Sequence, residues 1–215
     1  MPSQPSSRSE AVRSALSAAF MICLCLFGAV TQGVVAAPVM APTRALKAGV
    51  FEPPRVAPDF TLRGSDGAAL NLSHYRGKLV ILGFGYTSCT DVCPITLAML
   101  AEARKKLGVN AADVQVVYVT VDPERDNAAR LKTYLGAFDP TFIGGTGTPE
   151  QLAAVRKDYG ISAVKKAFDG GLQGYSVHHS SYIYLIDREG RLRGLMPFGH
   201  TADDVVHDAN ILLQK

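Results

Sequence analysis

Residues 79–94 read LVILGFGYTSCTDVCP, and this stretch decides the fold. Leu79–Gly85 is a continuous apolar run of strand length, the pattern of a strand buried on both faces. It leads directly into Cys89-Thr90-Asp91-Val92-Cys93-Pro94. Proline is well tolerated in a first helical turn. Ile95, Met99, Ala103 and Leu107 then line one apolar stripe, and Gly108 ends it, so a helix is predicted over Pro94–Leu107.

Working outward, Val114–Val121 (VQVVYVTV) is the next buried strand, and Asn127–Phe138 a second helix with Asn127 as N-cap. Thr148-Pro149-Glu150-Gln151 has the form of a capping box, which starts a third helix running to about Gly160. Upstream, Phe60–Arg63 and Ala69–Leu72 flank Gly64-Ser65-Asp66-Gly67, a hairpin signal. Downstream, Val164–Phe168 and Leu172–Val177 suggest a projecting hairpin around Asp169-Gly170-Gly171. A firmer hairpin joins Ser181–Ile186 to Leu192–Met196 through Asp187–Gly190, and Thr201 caps a last helix through Leu213. Alternating strands and helices that end in a hairpin imply an α/β sheet, parallel in part and antiparallel at one side. The predicted class is a thioredoxin-like fold with an N-terminal hairpin extension and an inserted helix.

The first 58 residues differ in composition. Arg8 and Arg13 precede an uncharged stretch from Ser14 to Thr43, most apolar over Ala18–Val30. A basic lead, an apolar run and the small residues Val34-Val35-Ala36 fit a secretory signal peptide. Leu16–Val35, at about 20 residues, is also long enough to be a membrane anchor. Pro38–Pro58 is rich in Pro and Ala without a period. The expected organisation is therefore 1–37 signal peptide or anchor, 38–53 linker, and 54–215 a single folded domain outside the cytoplasm. Cys23 and Cys25 fall in the apolar stretch, which leaves Cys89 and Cys93 to the domain. A net charge of +3 with no basic stripe argues against nucleic acid as a partner.

One close cysteine pair in an exported domain points to redox or metal chemistry rather than to a disulfide framework. A helix N-terminus favours a thiolate, the form that both a nucleophile and a soft-metal ligand require. Three residues separate the sulfurs, one more than in a thioredoxin dithiol. That spacing permits a disulfide and also lets both sulfurs face one ion. Of the five histidines, His74 lies in a polar turn, His200 precedes a helix cap and His207 is inside the last helix. His178-His179 closes a Gly-rich loop and opens the strand Ser181–Ile186, from which an imidazole can approach the cysteines. Two thiolates and an imidazole suit Cu(I), or Cu(II) with one further ligand. Zinc requires a fourth donor, and none is evident nearby.

At these residues the sequence closely resembles the Sco/SenC family of cytochrome oxidase assembly proteins. The matching pieces are Gly85-Tyr86-Thr87 into Cys89–Pro94, Val121-Asp122-Pro123-Glu124-Arg125-Asp126, and Val177-His178-His179-Ser180 before Tyr184-Leu185-Ile186-Asp187. They occur in the family's order over about Pro54 to the C-terminus. The resemblance implies a tethered thioredoxin-like domain, facing the periplasm or, in a eukaryote, the mitochondrial intermembrane space. It implies copper held by Cys89, Cys93 and His179, with Cys89–Cys93 as a redox-active disulfide. It further implies a copper-accepting partner, cytochrome c oxidase subunit II, and a reductant for the dithiol. His178 stands where the family often has another residue. Asp122–Asp126 is expected to be a turn with helix-start residues.

Two enzymatic readings compete, although the pattern does not require an enzyme. Thr90 three residues before Cys93-Pro94 is the arrangement of a peroxiredoxin-like thiol peroxidase, which needs a low-pKa Cys93 beside an arginine, with Cys89 resolving. A general thiol–disulfide reductase would need only the cysteines, at the shorter spacing.

Overall fold

The computed structural model describes residues 45–168 and 174–214. In chain order these form β1 (Gly49–Val56), β2 (Thr61–Gly64), β3 (Ala69–Asn71), β4 (Leu79–Gly85), α1 (Val92–Leu107), β5 (Val114–Thr120) and α2 (Ala128–Gly136). They continue with β6 (Ile143–Thr146), α3 (Pro149–Asp158), β7 (Ala163–Ala167), β8 (Tyr175–His179), β9 (Tyr182–Ile186), β10 (Arg191–Pro197) and α4 (Ala202–Leu213).

Eight strands make one sheet in the order β1-β10-β9-β4-β5-β6-β2-β3, while β7 and β8 pair as a separate ribbon. β4, β5 and β6 run parallel, and β9 lies antiparallel to β4 on its other side. All seven residues of β4 are buried, because helices cover both faces. Leu79 and Ile81 join α1 and α4 through Leu97, Leu100, Val205 and Ala209. Val80, Leu82 and Phe84 point the other way, toward Leu152 and Val155 of α3. Alternate side chains of a strand leave opposite faces, so one apolar run feeds both layers. This is the thioredoxin-like arrangement, closed by α4.

The helix caps follow sequence chemistry closely. The Arg130 amide donates to the Asn127 side chain at 2.9 Å. Thr148 and Gln151 form the reciprocal capping box, and Thr201 with Asp204 forms another.

The structure corrects the sequence reading at several elements. Residues 49–53, expected within the linker, begin β1, which pairs antiparallel with β10. It is an exposed edge strand carrying Pro53-Pro54, and its register shifts between Val50 and Arg55. Proline cannot donate to a ladder and is tolerated at an edge, so the segment shows no strand periodicity. β6 was not expected, because two glycines at the centre of Ile-Gly-Gly-Thr interrupt any strand pattern. Its glycines are needed for closeness: a Cβ on Gly144 would lie 2.9 Å from Leu131 Cβ, and one on Gly145 2.7 Å from Leu70 Cδ2. In α1 the buried stripe is Leu97, Leu100, Ala103 and Leu107, and Ile95 is 54% exposed. The first turns of α1 are apolar nearly all round, so spacing alone could not choose the face. The projecting hairpin is the β7–β8 ribbon, whose tip, 169–173, lies outside the described residues.

Candidate functional site

The site forms where β4 ends. From Tyr86 the chain turns, with the Cys89 amide donating to the Tyr86 carbonyl at 3.3 Å, and enters α1 at Val92. Cys93 thus lies in the first turn of α1, slightly inside the helix mouth expected for it; the difference is within ordinary variation of helix ends. Cys93 is buried, Cys89 is half-buried, and neither is in a disulfide. β9 is antiparallel to β4, with Ile183 opposite Gly83, so the start of β9 stands beside the end of β4. Whatever precedes β9 is delivered to the cysteine loop.

That preceding segment is β8. His178 and His179 close β8 instead of a loop, with Val164 opposite His178 and Ala163 opposite His179. Successive strand residues face opposite ways. His178 is exposed, whereas His179 turns inward and its Nε2 lies 3.3 Å from Cys93 Sγ. His179 Nδ1 lies 2.9 Å from the Ser180 carbonyl oxygen. A carbonyl can only accept, so Nδ1 carries the proton and the Nε2 lone pair faces the sulfur. The other histidines are engaged elsewhere: His74 with Asn71, His200 with Asp204 and His207 with Asp208.

The two thiols are unequal. A hydrogen bond from Cys93 holds the Cys89 thiol far below the usual range, at about 4; burial opposes this, and backbone amides add to it. The same hydrogen bond, together with burial, pushes the Cys93 thiol well above its usual range. The pair therefore shares one proton, held on Cys93, with the thiolate on the more accessible sulfur. Tyr118, fully buried on β5, brings its hydroxyl against Cys93 Sγ. Outside lies an open cavity of about 360 Å³ lined by Tyr86, Cys89, Thr90, Asp91, His178 and His179. Among the described residues no three His, Cys, Asp or Glu side chains form a ready-made metal cluster. What is present is a thiolate, a protonated thiol and an imidazole lone pair, a donor set suited to a soft ion or to thiol–disulfide exchange.

The segment Asp122–Asp126 is more than a turn. Asp122 and Asp126 are completely buried. Asp126 accepts from the Thr87 amide at 2.9 Å, from the Thr87 hydroxyl at 2.5 Å and from the Thr120 hydroxyl at 2.7 Å. Arg130 donates to the Thr87 hydroxyl oxygen and to Ser88. The cysteine loop is thereby tied to the end of β5. Two acids directly after a buried strand were the available signal, but their partners lie too far along the chain to be inferred.

Fold and site together define a thioredoxin-like dithiol protein with an imidazole set against one sulfur. The SCO1/SenC family model matches residues 50–214. An SCO2-like protein of Rickettsia felis is 35% identical over 137 residues, covering 64% of this chain and 67% of its own. The structure of Bradyrhizobium japonicum ScoI with copper bound is 34% identical, with a TM-score of 0.67, covering 74% of this chain and 99% of that one. Yeast Sco1 with copper bound is 28% identical, with a TM-score of 0.68, covering 75% and 90%. The chain belongs to the SCO1/SenC family.

Proposed function

We propose that this protein carries copper for the assembly of cytochrome c oxidase, holding it through Cys89, Cys93 and His179. The observation that carries this reading is the inward imidazole, with Nδ1 tied to a backbone carbonyl and Nε2 at 3.3 Å from Cys93 Sγ. A thiol–disulfide reductase has no need of it. The copper-bound Sco structures among its relatives support the same cargo. The peroxidase alternative requires Cys93 as the low-pKa thiolate, whereas burial and Cys89 push that thiol up. The acceptor in this reading is oxidase subunit II or another copper-accepting protein, and the segment 1–37, as signal peptide or membrane anchor, directs the domain outside the cytoplasm. Among the described residues no helix is long and apolar enough to cross a membrane.

Three ligands leave Cu(I) open to an incoming donor, so a partner's thiolate can bind before Cys89 leaves. Oxidation of Cys89 and Cys93 to a disulfide removes both sulfurs as ligands. The two electrons pass to a disulfide of the partner, whose sulfurs leave as a thiolate and a thiol that takes the Cys93 proton or one from water, and an external reductant restores the dithiol.

The test is anaerobic Cu(I) competition against a chromophoric chelator. One tight equivalent is expected, weakened by His179→Ala and indifferent to His178→Ala. Binding insensitive to both changes would leave only the thiol-redox role.

The unequal thiols give a second prediction. At neutral pH Cys89 already lacks its proton and Cys93 keeps one, so loading copper releases about one proton. Because loading expels a proton, affinity rises with pH, by about tenfold per unit between about pH 7.5 and 8.5. Calorimetry in buffers of different ionisation enthalpy counts the protons. A count of two would mean that both thiols are protonated in the free protein.

A further inference from the structure

The donors sit on two separately built elements: the sulfurs on the β4–α1 loop and the first turn of α1, and the imidazole on the β7–β8 ribbon. The ribbon is not part of the main sheet, so something must fix its distance from the cysteines. The segment joining β5 to α2 contacts both. At its far end, Asp126 binds Thr87 of the cysteine loop. At its near end, buried Asp122 accepts from Arg125 Nε at 2.5 Å and from the Tyr175 hydroxyl at 2.8 Å. Arg125 in turn donates to the Tyr175 carbonyl at 3.0 Å and lies over the Tyr175 ring, 3.9 Å from its centroid. Glu124 also accepts from the Tyr175 hydroxyl, at 3.1 Å, and pairs with Lys165 of β7. Both strands of the ribbon are therefore held. The Arg125 guanidinium also faces the Tyr86 ring, whose hydroxyl accepts from the Val177 amide at 3.2 Å and whose edge meets His179 at 6.0 Å between ring centroids.

We infer that Asp122–Asp126 is a two-ended clamp that sets the imidazole against the thiols, with Arg125 as the positioning residue for the His179 ribbon. This rests on the copper reading above. Arg125 is suited to the task because its planar fork holds Asp122 and a backbone carbonyl at once while stacking on an aromatic face; lysine offers only a point charge. Arg125 acts on copper through His179, since the cysteine loop is tied separately by Asp126 at the other end of the clamp.

The decisive experiment is a double-mutant cycle. Arg125→Ala is expected to weaken Cu(I) binding by about tenfold, the lower end of what outer-shell partners contribute. In a His179→Ala background the same change is expected to shift affinity by less than about twofold, because the ligand it positions is gone. In the metal-free protein, Arg125→Ala should speed hydrogen exchange at the Val177 amide and leave the Thr87 amide protected. Tyr175→Phe, which removes the hydroxyl and keeps the ring, should act in the same direction with smaller amplitude, and it carries the test if Arg125→Ala does not fold. Equal losses in both backgrounds, or unchanged exchange at Val177, would overturn the clamp. If the parent protein takes up no copper, the copper reading fails, and the exchange measurement on the metal-free protein still decides whether Arg125 holds the ribbon.

Discussion

Replacing Cys93 by serine is expected to abolish copper retention, lowering Cu(I) affinity by more than the roughly hundredfold that marks the upper end for outer-shell partners. Cys93 is the buried sulfur of the pair and the one in contact with His179 Nε2. Serine retains a hydroxyl that can donate to the Cys89 thiolate. The substitution therefore isolates the loss of the soft donor and does not disturb the charge on its neighbour. An alcohol does not ionise at neutral pH and is a poor match for Cu(I). The variant keeps the size and polarity that the first turn of α1 accommodates, so its near-ultraviolet circular dichroism should match that of the parent. Chelator competition on the folded variant reads the effect. Parent-like affinity would place the copper site away from the α1 N-terminus.

Gly85→Ala is expected to destabilise the domain by about 3 kcal/mol or more, at or beyond the usual cost of overpacking a core. Gly85 ends β4 beneath the site. A Cβ there would stand 1.7 Å from the Tyr118 hydroxyl oxygen and 2.8 Å from Cys93 Sγ. Tyr118 is fully enclosed and has no exit, and Cys93 is anchored in α1. Space can be made only by moving β4 from β5 or α1 from the sheet, which disturbs the site as well as the core. Tyr118→Phe in the same chain removes the oxygen but leaves the ring carbon that would lie 2.6 Å away, so partial rescue is expected. Urea midpoints of the single and double variants measure both effects. A Gly85→Ala protein as stable as the parent would mean that the close approach of β4, Tyr118 and Cys93 is not as described.

Much of the fold is legible in local chemistry. The unbroken apolar run of β4 announces a strand covered on both faces. Asn127, Thr148 and Thr201 mark helix starts, because the side-chain oxygens that satisfy the first free amides belong to neighbouring residues. β1 and β6 are illegible for opposite reasons. β1 is an exposed edge with two prolines, so no burial pattern is imposed on it. β6 has glycines at its centre because its neighbours come too close there for side chains, and that closeness belongs to Leu70, Leu131 and Leu135 on other elements.

The same division runs through the site. The sequence by itself determines that two sulfurs stand at the mouth of a helix after a buried strand, since strand, loop and helix are contiguous and each has local signals. It also offers adjacent histidines near the end of the chain and an acidic segment after β5. Only the tertiary structure decides which histidine faces the sulfurs, because that depends on the pairing of β8 with β7, where a shift of one residue exchanges His178 for His179. Only the tertiary structure decides which thiol keeps the proton, because burial and the Cys93–Cys89 hydrogen bond arise when α1 docks on the sheet. The acidic segment joins the cysteine loop to the histidine ribbon for the same physical reason: Thr87 lies 39 residues from Asp126, and Tyr175 lies 53 from Asp122. Pairings at that range leave no local pattern and exist only once the chain has folded.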